Sequence, residues 1–304
     1  MRNTFAEAVY QAAKVDPRIY VVVADISPAG AITQFSKEWP ERFINTGVAE
    51  QNMIGISAGL AMRGMRPFAY TIATFSIYRP FEMVRNDVCY QNLPVIIVGM
   101  GTGVVYSTLG STHHAQEDIA VAGAIPNMRI IAPCDPMEVT DAVNYCVRQE
   151  DGPVYLRLGK AGEPVVTDNA EEPWVFGKIR YLQRGSDVCI ITHGSIISRA
   201  LELVDHLRAQ GKSVSVISAH TLKPFDSEGV ARALSAHKQA IIIEEHAPQG
   251  GLAALTKQAA WDGGVQCDLR TFTLKDEFIH CYGSHQDILA AHGLSLQALI
   301  DGTS

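Results

Sequence analysis

Apolar residues along this chain alternate between two rhythms. A helical period opens it: Phe5, Ala8, Val9 and Ala12 share one face, Thr4-x-x-Glu7 fits a capping box, and Asp16-Pro17 ends the pattern. The run Ile19-Tyr-Val-Val-Val-Ala24 follows, the signature of a strand buried on both faces. Similar short runs recur at 43–45, 68–72, 95–99, 129–132 and 154–158, separated by helical stretches over 29–38, 49–63, 79–92, 115–124 and 135–149. That alternation predicts a parallel sheet with helices on both faces. Between 159 and 180 it fades into turn formers, Gly159-Lys-Ala-Gly-Glu-Pro164 and Glu171-Glu-Pro173. It then resumes, with strands at 188–192, 213–218, 240–244 and 268–272 and helices near 196–210, 226–236, 250–261 and 284–301. The expected class is α/β: two doubly wound, mainly parallel sheet domains, 1–160 and 181–304, joined by a linker over 161–180.

Composition narrows what such a chain does. At roughly 150 residues per domain, 304 residues suit two domains. With 47% hydrophobic and 19% charged residues, long disorder is excluded. A net charge of −7 argues against nucleic acid as the main partner, because a protein that lives on phosphate backbones is basic. No apolar run approaches the 18 or so residues of a membrane span, and residues 1–14 carry Glu7 and no apolar signal core. The six cysteines show no CxxC spacing and read as reduced, in a cytoplasmic protein.

Open parallel sheets bind ligands beyond the carboxyl ends of their strands. The residues to weigh are therefore Asp25, the 46–50 segment, Thr74–Tyr78 and the 101–114 loop. Gly99-Met-Gly-Thr-Gly103 hints at a dinucleotide fingerprint, but that motif must open a helix, and this one runs on into Val104-Val-Tyr-Ser-Thr-Leu-Gly-Ser-Thr112. A plain loop fits better than a nicotinamide site. His113 and His114 are adjacent and so point apart; His114 and Glu117 could share a helix face as a partial metal site, but a third ligand at a suitable spacing is missing, and proton transfer or oxyanion contact suits the histidines better than a metal. Glu50 starts a very apolar helix. Its bland reading is a carboxylate meeting the helix dipole; its sharper reading is an acid/base whose pKa apolar company lifts above roughly 4.3. Phe75 and Tyr78 are either core or a holder for a flat heteroaromatic ring.

Together the motifs are specific. Asn45-Thr-Gly-Val-Ala-Glu-Gln-Asn-Met-Ile-Gly-Ile-Ser-Ala-Gly-Leu60, Thr74-Phe75, Gly110-Ser-Thr-His113 and Ala124-Ile-Pro-Asn-Met-Arg-Ile-Ile-Ala-Pro133 resemble the pyrimidine-binding domain of transketolase. The pattern is similar, slightly altered, in 1-deoxyxylulose-5-phosphate synthase. Gly185-Ser-Asp-Val-Cys-Ile-Ile-Thr-His-Gly194 and Ile243-Glu-Glu-His246 with Gly250-Gly251 resemble the transketolase C-terminal domain. The resemblance spans nearly the whole chain and implies thiamine diphosphate as cofactor. No Gly-Asp-Gly is present, the motif that with a later Asn marks the family's diphosphate domain. The chain thus resembles the C-terminal subunit of a split transketolase. The diphosphate and its Mg²⁺ or Ca²⁺ would sit on an N-terminal partner subunit carrying Gly-Asp-Gly…Asn, in an α2β2 assembly.

The resemblance also implies roles. Glu50 matches the glutamate that hydrogen-bonds N1′ of the aminopyrimidine and favours the imino tautomer, which takes the proton from C2 of the thiazolium. Phe75 and Tyr78, with Phe81 beside them, match aromatics on the pyrimidine, and Asp25 lines the cofactor pocket. His113 matches a histidine contacting the substrate, His114 being a second contact or a structural residue. Lys160 stands where a phosphate-binding arginine is usual, with Arg157 nearby. Three further positions depart from the pattern: Leu109 replaces an aspartate that reads a donor hydroxyl, Gly101 a substrate histidine, and Ala29 a serine that contacts sugar phosphate. The activity implied is transfer of a two-carbon ketol unit from a ketose to an aldose, with sugars or sugar phosphates as substrates. Alternatives are the β chain of a 2-oxoacid dehydrogenase, a deoxyxylulose phosphate synthase and a non-catalytic half.

Overall fold

The computed structural model describes residues 1–26 and 30–303. Its first sheet contains β1 (Ile19–Val23), β2 (Phe43–Asn45), β3 (Arg66–Ile72), β4 (Ile96–Met100), β5 (Arg129–Ile131) and β6 (Val154–Leu158). The second contains β7 (Arg180–Gln183), β8 (Val188–Thr192), β9 (Val214–Ser218), β11 (Gln239–Ile243) and β12 (Asp268–Phe272). One strand of the later half, β10 (Thr221–Lys223), leaves that sheet and pairs antiparallel with β5. The first sheet therefore runs β10-β5-β6-β4-β3-β1-β2 and the second β12-β11-β8-β9-β7. Among the described residues, the other antiparallel strand pair is β7 with β9.

The apolar runs behave as double-sided strands, with successive side chains entering opposite cores. In β4, Ile96, Val98 and Met100 join one core, while Ile97 joins the other. In β1, Val21 and Val23 oppose Val22 in the same way. Helices α1 (Arg2–Val15), α2 (Ala31–Glu38) and α7 (Pro136–Arg148) cover the first of these cores. The other holds α3 (Glu50–Met62), α4 (Ala73–Ile77) and α6 (Asp118–Gly123). It continues into the later half through Cys189, Ile191, Ile217, Ile242 and Leu252, so the two sheets share one apolar cluster. The remaining helices are α5 (Phe81–Met83), α8 (Ile197–Ala209), α9 (Ser227–Ser235), α10 (Leu252–Asp262), α11 (His285–Ala291) and α12 (Leu296–Thr303).

Three local expectations are corrected. Helix α1 begins at Arg2, so Thr4 and Glu7 lie inside it and form no capping box; burial of Met1 and Phe5 carries the helix earlier. The stretch 79–92 holds only α5 and a π-helical turn over Val84–Cys89. The last helix is two, broken around Gly293 with φ +83°, a conformation glycine adopts freely. All six cysteines are unpaired, and among the described residues no helix is long and apolar enough to cross a membrane.

Parallel register brings the carboxyl ends of the central strands to one edge. Val23 pairs with Tyr70, Ile72 with Met100, and Met100 with Leu158. Residues 24–25, 73–75, 101–103 and 159–160 therefore all emerge together.

Candidate active site

At that edge lies a cavity of about 210 Å³ lined by Asp25, Val48, Glu50, Thr71, Phe75 and Arg79 among others. Asp25 turns out of β1 with φ +45°, a left-handed conformation that aspartate tolerates better than most residues. Thr46 donates its N–H to Val23 O at 2.9 Å, drawing the Glu50 segment against β1. Glu50, only 3% exposed, opens α3. Its company is not apolar as expected. Arg79 Nη1 donates to Glu50 Oε2 at 2.8 Å, and the same guanidinium lies 4.8 Å from the Phe75 ring centroid. Phe75 and Arg79 stand four residues apart across the end of α4, the spacing that brings side chains together on a helix.

Tyr78 and Phe81 do not line this cavity. Both pack against the shared apolar cluster, and the Tyr78 hydroxyl accepts the Glu117 N–H at 3.4 Å. The structure thus places them in the apolar cluster and not along the cavity wall.

His113 does reach the site. It closes a short 3₁₀ turn, Ser111–His113, and its ring meets Phe75 edge-on, centroids 5.2 Å apart and planes at 72°. Thr112 Oγ1 lies 3.0 Å from His113 Nδ1, and burial lowers the imidazole pKa, favouring a neutral ring. The loop carrying it is pinned at its base, where Gly103 and Ala115 exchange backbone bonds at 2.9 and 3.2 Å. The later half holds its tip. Ser111 Oγ donates to Ile279 O at 3.0 Å, and the Tyr282 ring packs on Gly110. No helix follows Gly103, and the glycines have packing roles: Cβ atoms at Gly99, Gly101 and Gly103 would strike Tyr155, Tyr106 and Glu245. The nicotinamide reading fails on that geometry.

His114 and Arg157, expected as substrate contacts, are both buried. His114 is 2% exposed, with both ring nitrogens unpartnered and its pKa lowered chiefly by burial. Arg157, 3% exposed, is committed within the fold. Its Nε donates to Asp118 Oδ2 at 2.9 Å, and Nη2 donates to Ala115 O and Glu245 O. Tyr155, two residues earlier on the same strand face, gives its hydroxyl to the same Asp118 oxygen at 2.7 Å. This buried group ties β6, the His113 loop and the later half together. Its signal was the polar residue at alternate positions of an apolar strand, Tyr155 and Arg157.

Lys160 is exposed and reaches Tyr106, its Nζ 5.4 Å from the ring centroid. Arg2 joins it, although no motif in the sequence marks it: its backbone N–H donates to Lys160 O at 3.2 Å, and its Nε is buried without a partner. Leu109 is exposed on the loop, Tyr106 fills the space over Gly101, and Ala29 lies outside the described residues. A larger cavity of about 390 Å³, beside Lys160, Arg199 and His285, contains none of Glu50, Phe75 and His113. Arg199 Nη1 pairs with Glu202 and His285 with Glu245, while Arg199 Nε is buried without a partner.

In the later half, Glu244 accepts the Leu252 and Ala253 N–H groups at 2.7 and 2.8 Å, capping α10. A Cβ on Gly251 would collide with that carboxylate, which explains the glycine.

Residues 1–162 match the model of the transketolase pyrimidine binding domain, and residues 177–299 match that of the transketolase C-terminal domain. The chain belongs to the transketolase family. It is 34% identical over 298 residues to an apulose-4-phosphate transketolase subunit of Phocaeicola vulgatus, covering 98% of this chain and 94% of that one. The 1-deoxy-D-xylulose-5-phosphate synthase of Geobacillus thermodenitrificans is 33% identical over 300 residues, 97% of this chain but 47% of the synthase. Among solved structures, one described as a split gene transketolase, an inactive beta4 tetramer, superposes with a TM-score of 0.87 at 31% identity, covering 99% of this chain and 96% of that one. This transketolase-family chain thus has the two-domain content and the length of its split relatives.

The cavity fits part of a thiamine cofactor. It has one buried carboxylate and one aromatic wall, and at about 210 Å³ it falls below the roughly 300 Å³ where pockets for whole drug-sized ligands begin. A single ring is a suitable occupant, leaving the rest of such a cofactor to another surface.

Proposed function

We propose that this chain is the pyrimidine-side subunit of a thiamine-diphosphate-dependent transketolase, moving a two-carbon ketol unit from a ketose to an aldose once joined to a diphosphate-binding partner. The observation that carries the reading is the convergence of Glu50, Phe75 and His113 at one sheet edge. Bound thiamine diphosphate would supply the nucleophilic carbon and electron sink. Asp25, Glu50 and Phe75 are the residues that would hold its ring. Glu50 holds the proton at the ring nitrogen, through Oε1 while Arg79 stays on Oε2 or through either oxygen once the guanidinium turns away. His113, neutral and edge-on to Phe75, is placed to hydrogen-bond a substrate oxygen or move a proton there. Lys160 and Arg2 offer positive charge to an anionic substrate end.

The proposal divides the chain as 1–160 for the ring-binding domain, 161–180 for the linker and 181–304 for the C-terminal domain. The linker is well anchored: Asp135 accepts Val166 N, Thr167 N and Thr167 Oγ1. The metal, Mg²⁺ or Ca²⁺, belongs to the partner subunit, and an α2β2 assembly brings each ring pocket against a diphosphate site. Helix α3 supports association. It is apolar on average yet exposes Gly55, Ile56, Gly59 and Met62.

The test is reconstitution with a partner subunit carrying Gly-Asp-Gly…Asn, assayed with ketose donors and aldose acceptors. Ketol transfer is expected only from the pair, and His113→Ala should cut turnover with little change in thermal stability. Full turnover by this chain alone would overturn the division of labour. Activity with pyruvate and glyceraldehyde phosphate in place of a ketose would reassign it as a synthase.

A further inference from the structure

Tyr106 is clamped from three sides. Gly101 holds φ +73°, and a Cβ built on it would overlap the Tyr106 ring, so the ring fills the room a side chain there would need. His113 meets the ring edge-on, centroids 6.4 Å apart and planes at 78°. Lys160 Nζ stands 5.4 Å from its centroid. The backbone is fixed as well, Tyr106 O accepting the Leu109 N–H at 2.9 Å in a tight turn.

Because His113 also meets Phe75 edge-on, Phe75, His113, Tyr106 and Lys160 form one continuous row. One end of the row is the cavity containing Glu50. The other is cationic, with Arg2 bonded through its backbone to Lys160. A molecule lying along this row would keep its reacting end at His113 and its far end at the ammonium. Lysine is a compact charge on a flexible stem, and does not position an anion unless something positions the lysine. The Tyr106 ring does so, because a cation over an aromatic face is held electrostatically. Half-buried, the ring stands between His113 and Lys160.

We propose that Tyr106 is the specificity-determining residue of this site. It spaces the reacting end from the anionic end and holds Lys160 in place, selecting short-chain sugars that end in an oxyanion. The inference rests on the transferase reading above. It is tested in the complex reconstituted with the partner, comparing kcat/KM for phosphorylated and unphosphorylated aldose acceptors. Tyr106→Ala should lower the phosphorylated-to-unphosphorylated ratio at least about tenfold, through KM. Tyr106→Phe, which keeps the ring, should hold the ratio within about threefold, and proton exchange at cofactor C2 should be unchanged in both. A Tyr106→Ala complex that loses activity equally on both acceptors, or that keeps the wild-type ratio, overturns the proposal. A wild-type complex that moves no ketol unit from any donor overturns the transferase reading as well.

Discussion

Arg79 Nη1 meets Glu50 Oε2 at 2.8 Å, but the two partners are unequally exposed: the glutamate side chain is 3% accessible and the arginine 45%. That asymmetry makes an unequal pair of substitutions. Arg79→Met strands a carboxylate in the interior and should cost about 1–3 kcal/mol of unfolding free energy. Glu50→Gln leaves an arginine free to turn to water and should cost much less. The double variant should recover most of the Arg79→Met loss, which denaturant unfolding of all four proteins measures. Equal losses in the two single variants would show that the pair does not sense burial.

The outward face of α3 separates folding from association. A Cβ at Gly59 meets nothing within 4 Å in the chain, and the residue is helical. Gly59→Ala should therefore stabilise the isolated chain by about 0.5–1 kcal/mol. Gly59→Leu and Ile56→Glu should fold normally and weaken assembly. Light scattering after size exclusion would then report a smaller particle, whereas an unchanged mass would place the interface elsewhere.

His220 links pH to stability. It is buried where the chain crosses from β9 to β10, stacked on Trp174 at 4.7 Å, with Nε2 unpartnered. Burial first, and Arg180 second, push its pKa down to about 3. The folded state thus keeps it neutral while the unfolded state takes a proton below about 6.5. Its contribution is constant above that value and falls by about 1.4 kcal/mol per pH unit from there down toward 3. His220→Gln should remove this slope whatever it does to stability at pH 7. Parallel curves of unfolding free energy against pH for the two proteins would contradict this.

Much of this architecture was legible because double-sided strands leave unbroken apolar runs. β2, β6, β8 and β12 fall where those runs are. The strands that escaped are short and depend on distant partners: β10 is three residues, stops before Pro224 and exists only because β5 accepts it. At the site, Asp25, Glu50 and Phe75 were readable from strand ends. Arg79 stood in the same stretch of sequence yet was overlooked, because periodicity does not tell which charge a buried carboxylate will meet. Tyr78 and Phe81 lie in the shared cluster and not along the cavity wall, a distinction that aromatic composition alone does not make. Arg2 and Lys160, 158 residues apart, meet only because α1 docks beside the end of β6.

Exchange of the cofactor's C2 proton for deuterium, followed by NMR in the complex with the diphosphate-binding partner, tests the central claim most directly. If Glu50 holds the proton that activates the bound ring, Glu50→Gln should preserve the fold and slow exchange by about 10²–10⁴-fold. An exchange rate equal to wild type, at full cofactor occupancy, would remove Glu50 from the chemistry and the account with it.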